Sequence, residues 1–301
     1  MDHPYSYTLF GLTIGSGMEL PELQRAEHGE ADVEIGYRDL DPAEPVAAEL
    51  TVTVDGALLQ VPRVGRYLVE RGCRISVDPD DDASPRSVRL FLLGSAFGAL
   101  LHQRGLLPLH ANAVAIDGRA VAFTGASGAG KSTLASLFHD RGHHLLSDDV
   151  CVVDVDAVGR AIAYAGIPQV RLWRDSLERS GRSAGDFEQL LDGRDKYTVP
   201  ARGEGAPAAI ALGAIYVLKR AEDDIDRIDI RQLRGAEALN ALIANTYRGR
   251  YIALLGDMER YWARGLDLVG KVPIFELERP WDPDRLPATI DAVEAHLRSI
   301  A

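Results

Sequence analysis

Long hydrophobic runs and cysteines are scarce in this sequence, and basic residues are fewer than acidic ones. The most apolar stretch, residues 90–101, is shorter than the roughly 20 residues that a helix needs to cross a bilayer, so no membrane span is expected. Two cysteines, Cys73 and Cys151, form no metal-spaced cluster, which favours reduced thiols and a cytoplasmic protein. Acidic residues outnumber basic ones by 45 to 33, and the net charge of −12 argues against a nucleic-acid partner.

The remaining composition is that of an ordinary globular protein. Hydrophobic residues make up 46% of the 301 residues and charged residues 26%, enough for one large or two modest domains. Residues 1–7 carry neither a basic region nor an apolar core, so no secretory signal is expected. We predict an α/β fold with a β-rich N-terminal domain (1–86), a connecting helix (87–104) and a domain built on a mixed sheet (105–301).

Turn residues between short apolar runs indicate several hairpins. Asp55-Gly56 and Arg71-Gly72 predict hairpin turns in the N-terminal half, and Val158-Gly159 predicts one in the C-terminal half. Asp117-Gly118 joins two apolar runs, which predicts that these two runs form strands paired antiparallel. The second domain therefore has a mixed sheet in our prediction.

The strongest motif lies at residues 125–132, whose sequence GASGAGKS fits the phosphate-loop pattern G-x-x-x-x-G-K-[ST]. An apolar strand precedes it and a helical pattern follows it, which is the context that lets backbone N–H groups surround phosphates. We predict that ATP is bound here with Mg²⁺, the Lys131 ammonium contacting the terminal phosphates and the Ser132 hydroxyl contacting the metal. The predicted nucleotide-binding residues are Gly125, Ala126, Ser127, Gly128, Ala129, Gly130, Lys131, Ser132 and Thr133.

A phosphate loop needs a further carboxylate for its metal ion, and Asp148-Asp149 follows an apolar run in the right region. Two adjacent aspartates allow one to accept a proton from an attacking hydroxyl while the other serves the metal. The alternatives are that the doublet is an exposed pair of turn residues, or that it is the metal-binding (Walker B) carboxylate element of an ordinary ATPase.

Other candidates are weaker when taken from the residues alone. His110, His143 and His144 fall near this region in sequence, and a lone histidine is more often packed or solvated than catalytic. Basic residues in the strand-like run 169–173 and in the polar stretch after it predict a clamp for substrate phosphate, with solvated loop charges as the alternative. They are Arg171, Arg194 and Lys196.

Taken together, three segments resemble the catalytic domain of the HPr serine kinase/phosphorylase family. They are the histidine in residues 109–111 (LHA), the loop form G-x-S-G-x-G-K-S at residues 125–132, and G-H-x-L-x-x-D-D at residues 142–149. The resemblance implies that Asp148 is the base, that Asp149 and Ser132 serve Mg²⁺, and that His110 and Lys131 belong to the catalytic site. The family's next signature has a glutamate and an R-G-x-G-I run, of which residues 168–172 (PQVRL) keep only the arginine.

The whole chain is similar to HPr-kinase-like proteins found with peptide natural-product genes, including lasso-peptide precursor kinases. The shared segments are FGLTI at residues 10–14, RLW at residues 171–173 and GRDK at residues 193–196. This resemblance implies an ATP-dependent kinase that phosphorylates a serine of a peptide or small protein, and it allows a homo-oligomer. A bifunctional HPr kinase/phosphorylase, a small-molecule kinase and a non-catalytic nucleotide sensor stay open as alternatives.

Overall fold

The fold follows from a computed structural model, which describes residues 3–40, 50–54, 56–167, 169–179, 182–189, 195–200, 207–221, 227–255 and 258–300. Its strands are β1 Tyr5–Leu9, β2 Leu12–Ser16, β3 Gln24–Arg25, β4 Val33–Tyr37, β5 Leu50–Val52, β6 Ala57–Val61, β7 Gly65–Glu70, β8 Arg74–Pro79, β9 Leu107–Leu109, β10 Ala111–Ile116, β11 Arg119–Gly125, β12 His144–Ser147, β13 Cys151–Val155, β14 Ala161–Tyr164, β15 Gln169–Trp173, β16 Glu188–Gln189, β17 Lys196–Pro200, β18 Ala209–Arg220, β19 Asp229–Leu233 and β20 Ile274–Arg279.

Helices are interspersed among these strands, which confirms the α/β class. They are α1 Pro85–Phe91, α2 Phe97–Gln103, α3 Lys131–Asp140, α4 Arg174–Arg179, α5 Gly235–Ala244, α6 Arg250–Leu255, α7 Met258–Val269 and α8 Leu286–Ser299. A π-helical segment, Leu92–Ala96, connects α1 to α2, and short 3₁₀ turns cover Ala184–Asp186 and Pro283–Arg285. No helix in the described ranges has the length and apolar character that a bilayer crossing requires.

The chain divides into two compact units, Met1–Pro108 with Thr246–Arg264 and Leu109–Asn245 with Gly265–Ala301. The domain limits given above stay a prediction, and the structure adds that residues 246–264 pack within the first unit. Within that unit, the imidazole Nε2 of buried His102 lies 2.8 Å from the carbonyl of Tyr247. This contact joins α2 to the segment that returns after residue 245.

The first unit contains a mixed sheet in the order β3-β1-β2-β4-β8-β7-β6-β5. Antiparallel pairing of β7 with β8 confirms the predicted hairpin at Arg71-Gly72. Strands β5 and β6 pair as the second hairpin predicts, although Asp55 in its turn lies outside the described residues. The N-terminal half is therefore rich in strands, as its sequence indicates.

In the second unit, β12, β10, β11 and β18 lie side by side, and β18 also pairs with β14 and β20. The hairpin across Asp117-Gly118 is confirmed, because β10 and β11 pair antiparallel from Ile116↔Arg119 onward. The hairpin across Val158-Gly159 is confirmed by β13 and β14. Strands β11, β18 and β20 are mutually parallel, so their carboxyl ends lie at the same edge of the sheet.

A row of aromatic rings fixes the helix after the phosphate loop against this sheet. Phe138 on α3 stacks on Phe123 of β11 at 5.3 Å between centroids. Tyr216 of β18 follows at 5.6 Å from Phe123, and Phe275 of β20 at 5.4 Å from Tyr216. All four rings are buried, so apolar area and ring geometry both stabilise the register of the three parallel strands.

Phe123→Ala is expected to lower the free energy of unfolding by about 3–5 kcal/mol, because it leaves a cavity between two stacked rings. Chemical denaturation of the purified chain measures this loss. The matched control is Val158→Ala, whose side chain is exposed, with an expected change within about 0.5 kcal/mol. Equal effects of the two substitutions would contradict a stabilising role for the aromatic row.

Candidate active site

The phosphate loop connects the end of β11 to the first turn of α3. Its three glycines, Gly125, Gly128 and Gly130, have positive φ angles of 139°, 83° and 82°. Residues with a Cβ rarely adopt these conformations, so the glycines shape the loop. Lys131 is buried, and its Nζ donates to the carbonyls of Gly125 and Ala126 at 2.8 and 3.1 Å. This places the ammonium group over the loop, where a phosphate-binding lysine is needed.

The Asp148 carboxylate is buried and held by donors from three different elements. Its Oδ1 accepts hydrogen bonds from the Ser132 hydroxyl at 3.1 Å and from the Asn112 amide. Its Oδ2 accepts the backbone N–H of Arg171 at 2.7 Å. Burial of a charged group is costly unless hydrogen bonds compensate it, and these donors supply that compensation.

Asp149 lies beside Asp148 in sequence but faces a different set of groups. Its φ of 72° is left-handed, a conformation that aspartate tolerates better than most residues. Its carboxylate lies 3.1 Å from Arg171 Nη1 and 3.4 Å from His110 Nδ1. The carboxylates of Asp148 and Asp149 therefore contact different groups.

His110 is anchored by its backbone between two elements. Its N–H donates to the carbonyl of Asn245 at 2.7 Å, and its own carbonyl accepts the Thr124 hydroxyl at 2.9 Å. The ring reaches the Asp149 backbone oxygen at 3.1 Å from Nδ1. His110 is therefore positioned by the strand that precedes the phosphate loop and lies beside the second carboxylate.

These groups surround a cavity of about 370 Å³. The loop from Ser127 to Thr133 forms its floor, and His110, Asn112, Asp149 and Arg171 line one part of it. Other residues complete the lining and include two partly exposed tryptophans: Trp173, Arg279, Trp281, Pro283 and Leu286. The cavity thus brings three cations, Lys131, Arg171 and Arg279, to the phosphate loop.

The structure brings most of the predicted site residues together and leaves some out. Arg171 lines the cavity, whereas Arg194 lies outside the described residues, and Lys196 is described only as backbone at the start of β17. His143 does not line the cavity; its Nε2 lies 3.1 Å from Glu294 Oε1, on α8. His144, at the start of β12, is not among the cavity residues either.

Asn112 and Arg279 are site residues that the sequence reasoning missed. Asn112 is the polar residue of the otherwise apolar strand β10, a signal that a buried hydrogen bond was required there. Arg279 ends β20 and is only 4% exposed. Its Nη2 donates to the Ala129 carbonyl at 3.1 Å, and burial lowers the pKa of its guanidinium. Arg279 reaches the loop because β20 pairs in parallel with β18, which lies more than 50 residues earlier, and no local sequence signal indicates that pairing.

The oxygen groups around Ser132 fit a hard cation such as Mg²⁺. The described residues contain no cluster of three His, Cys, Asp or Glu side chains that could hold a metal on its own. Mg²⁺ in phosphoryl-transfer sites needs only one or two carboxylates, because phosphates and water complete its shell. Ser132 and Asp148 would supply the hydroxyl and the carboxylate, and the Oδ1 of buried Asn112 has no hydrogen-bond partner.

No protein-family model and no curated protein matches this chain. Among solved structures, it is similar to the HPr(Ser) kinase/phosphatase from Coxiella burnetii, with 16% sequence identity and a TM-score of 0.34. The match covers 64% of this chain and 99% of that chain. Such a distant likeness carries no argument about activity, so the function has to be inferred from the site.

A pair of glycine substitutions tests how tightly Arg279 packs on the loop. A Cβ at Gly130 would lie 2.6 Å from Arg279 Nη2, whereas a Cβ at Gly128 would have no atom within 4 Å. Both positions have a left-handed φ, so alanine costs each about 1–2 kcal/mol. Gly130→Ala is expected to destabilise the nucleotide-free chain by about a further 1.5 kcal/mol, because Arg279 must leave the Ala129 carbonyl.

Thermal unfolding without nucleotide measures the difference between these two variants. A larger decrease in Tm for Gly130→Ala than for Gly128→Ala agrees with a fixed guanidinium. Equal decreases would mean that the Arg279 side chain moves aside at no cost.

Proposed function

We propose that this chain is an ATP-dependent serine kinase that transfers the γ-phosphoryl group to a serine of a peptide or small protein. The observation that carries the proposal is the separation of the two adjacent carboxylates. Asp148 contacts the Ser132 hydroxyl, whereas Asp149 lines the cavity beside His110. A nucleotide-binding sensor needs the phosphate loop and its metal site, but a further carboxylate facing the cavity supports proton removal from an acceptor.

We assign the aspartates to roles opposite to those that the family resemblance implies. Asp148 has both oxygens occupied by hydrogen bonds and contacts the predicted metal ligand Ser132, which suits a metal-supporting residue. Asp149 lies at the cavity wall, where an acceptor hydroxyl has access to it. We therefore propose Asp149 as the general base and Asp148 as the carboxylate partner of Mg²⁺.

The reaction follows from these positions. Asp149 accepts the proton of the serine hydroxyl, the serine oxygen attacks the γ-phosphorus, and the bond from that phosphorus to the β–γ bridging oxygen breaks to release ADP. Lys131 and the loop N–H groups stabilise negative charge on the phosphates. When bound, Mg²⁺ adds charge neutralisation at the same phosphates. His110 and Arg171 hold the Asp149 carboxylate in place.

The substrate class is a proposal that rests on the resemblance to kinases of peptide natural-product pathways. A lasso-peptide or related precursor with a C-terminal serine is the acceptor that we propose. Arg171 and Trp173 lie on β15 at the cavity, on the side of Asp149 where an acceptor would enter. The test incubates the chain with [γ-³²P]ATP and a synthetic peptide that ends in serine, and follows label on the peptide.

Asp149→Asn is expected to lower kcat by at least about 100-fold, because asparagine cannot accept the hydroxyl proton. ATP affinity should change little. Asp148→Asn is expected to raise the Mg²⁺ concentration for half-maximal rate by about tenfold, since it removes the anionic partner of Ser132. Initial rates at varied Mg²⁺ separate the two effects.

Asp267→Asn is the matched control, because this aspartate forms an exposed i,i+4 ion pair with Lys271 away from the cavity. Its rate should equal that of the unchanged chain. If Asp149→Asn transfers phosphate at the original rate, Asp149 is not the base. If only Asp148→Asn lowers kcat, and added Mg²⁺ does not recover the rate, Asp148 is the base, as the resemblance implies.

A further inference from the structure

One end of the cavity combines the phosphate loop with an exposed aromatic ring. Trp281 follows β20 by two residues, is 38% exposed and lines the cavity together with Pro283 and Leu286. Most large apolar side chains of the second unit are buried instead in its core. A tryptophan left open at a nucleotide cavity offers a flat surface to an aromatic ligand.

Sheet order separates this aromatic end from the catalytic groups. Strand β11, which delivers the phosphate loop, lies between β10 on one side and β18 with β20 on the other. His110 and Asn112 come from the β10 side, and Asp148-Asp149 follow β12, which pairs with β10. Trp281 comes from the β20 side. If the γ-phosphate lies at the carboxylates, the nucleoside has to extend in the opposite direction.

Arg279 fixes the orientation of the Trp281 ring. Its Cζ lies 4.8 Å from the ring centroid, and its Nη1 and Nη2 donate to the carbonyls of Pro280 and Ala129. No carboxylate pairs with this buried guanidinium in the described part of the chain. The guanidinium covers one ring face and is itself held on the phosphate loop. One guanidinium therefore contacts both the ring and the phosphate loop.

We propose that Trp281 is the stacking platform for the nucleobase of the bound nucleotide, held in orientation by Arg279. The proposal rests on the kinase proposal only for the direction in which the triphosphate lies. Stacking on a ring accepts any base, and the neighbouring lining residues Pro283 and Leu286 have no side-chain hydrogen-bonding groups. Discrimination between ATP and GTP at this platform is therefore expected to be weak.

Inorganic tripolyphosphate provides the control ligand, because it has the phosphates of ATP without a base. Trp281→Ala is expected to weaken ATP binding by about tenfold and to leave tripolyphosphate affinity within about twofold, as measured by calorimetry. Equal losses for both ligands, or no loss for either, would overturn the platform, because stacking affects only a ligand with a base.

Quenching of tryptophan fluorescence by ATP gives a second measurement, which does not need the Trp281→Ala variant. The chain has three tryptophans, Trp173, Trp262 and Trp281, and Trp262 is assigned to the first compact unit. With Trp173→Phe and Trp262→Phe combined, ATP should quench the remaining Trp281 and tripolyphosphate should not. Quenching confined to a protein in which Trp173 alone remains would place the base on the Asp149 side and overturn the proposal.

The two proposals fail in different ways. Trp281 quenching by ATP without label transfer to any peptide would contradict the kinase and support the platform. If label is transferred to a peptide but Trp281→Ala binds ATP as tightly as the original chain, the kinase proposal is supported and the platform is contradicted.

Discussion

The buried carboxylate of Asp148 is the interaction on which the site depends. It is hydrogen-bonded by Ser132 at the start of α3, by Asn112 in β10 and by the backbone of Arg171 in β15. A buried anion without such donors would be costly, and these hydrogen bonds offset that cost. The hydrogen bonds of one carboxylate therefore connect the phosphate-loop helix, the neighbouring strand and the small β15-β17-β16 sheet.

Adjacent residues in a regular strand would direct their side chains to opposite faces, but Asp148 and Asp149 lie just after β12, where the backbone turns. The left-handed φ of Asp149 moves its carboxylate into the cavity and against Arg171. Arg171 thus contacts both aspartates, one through its backbone and the other through its guanidinium. A shift of β15 would change the surroundings of both carboxylates at once.

Local signals in the sequence predicted the phosphate loop, the aspartate doublet and the hairpin turns, because each depends on residues a few positions apart. The α/β class followed from those elements. Asn112 and Arg279 were missed because their roles depend on pairings between distant strands, and the sequence pattern does not specify which strands pair. The contact between His102 and Tyr247 is of the same kind, because no local pattern in the sequence indicates that the segment after residue 245 packs in the first unit.

That return of the chain into the first unit has a consequence for the gene as well as for the protein. The first unit contains two separate stretches of sequence, Met1–Pro108 and Thr246–Arg264. A single recombination at residue 108 would transplant only one of them and leave the other without its packing partners. Exchange of the N-terminal half for another module therefore requires two coordinated breaks, which favours inheritance of the two units together.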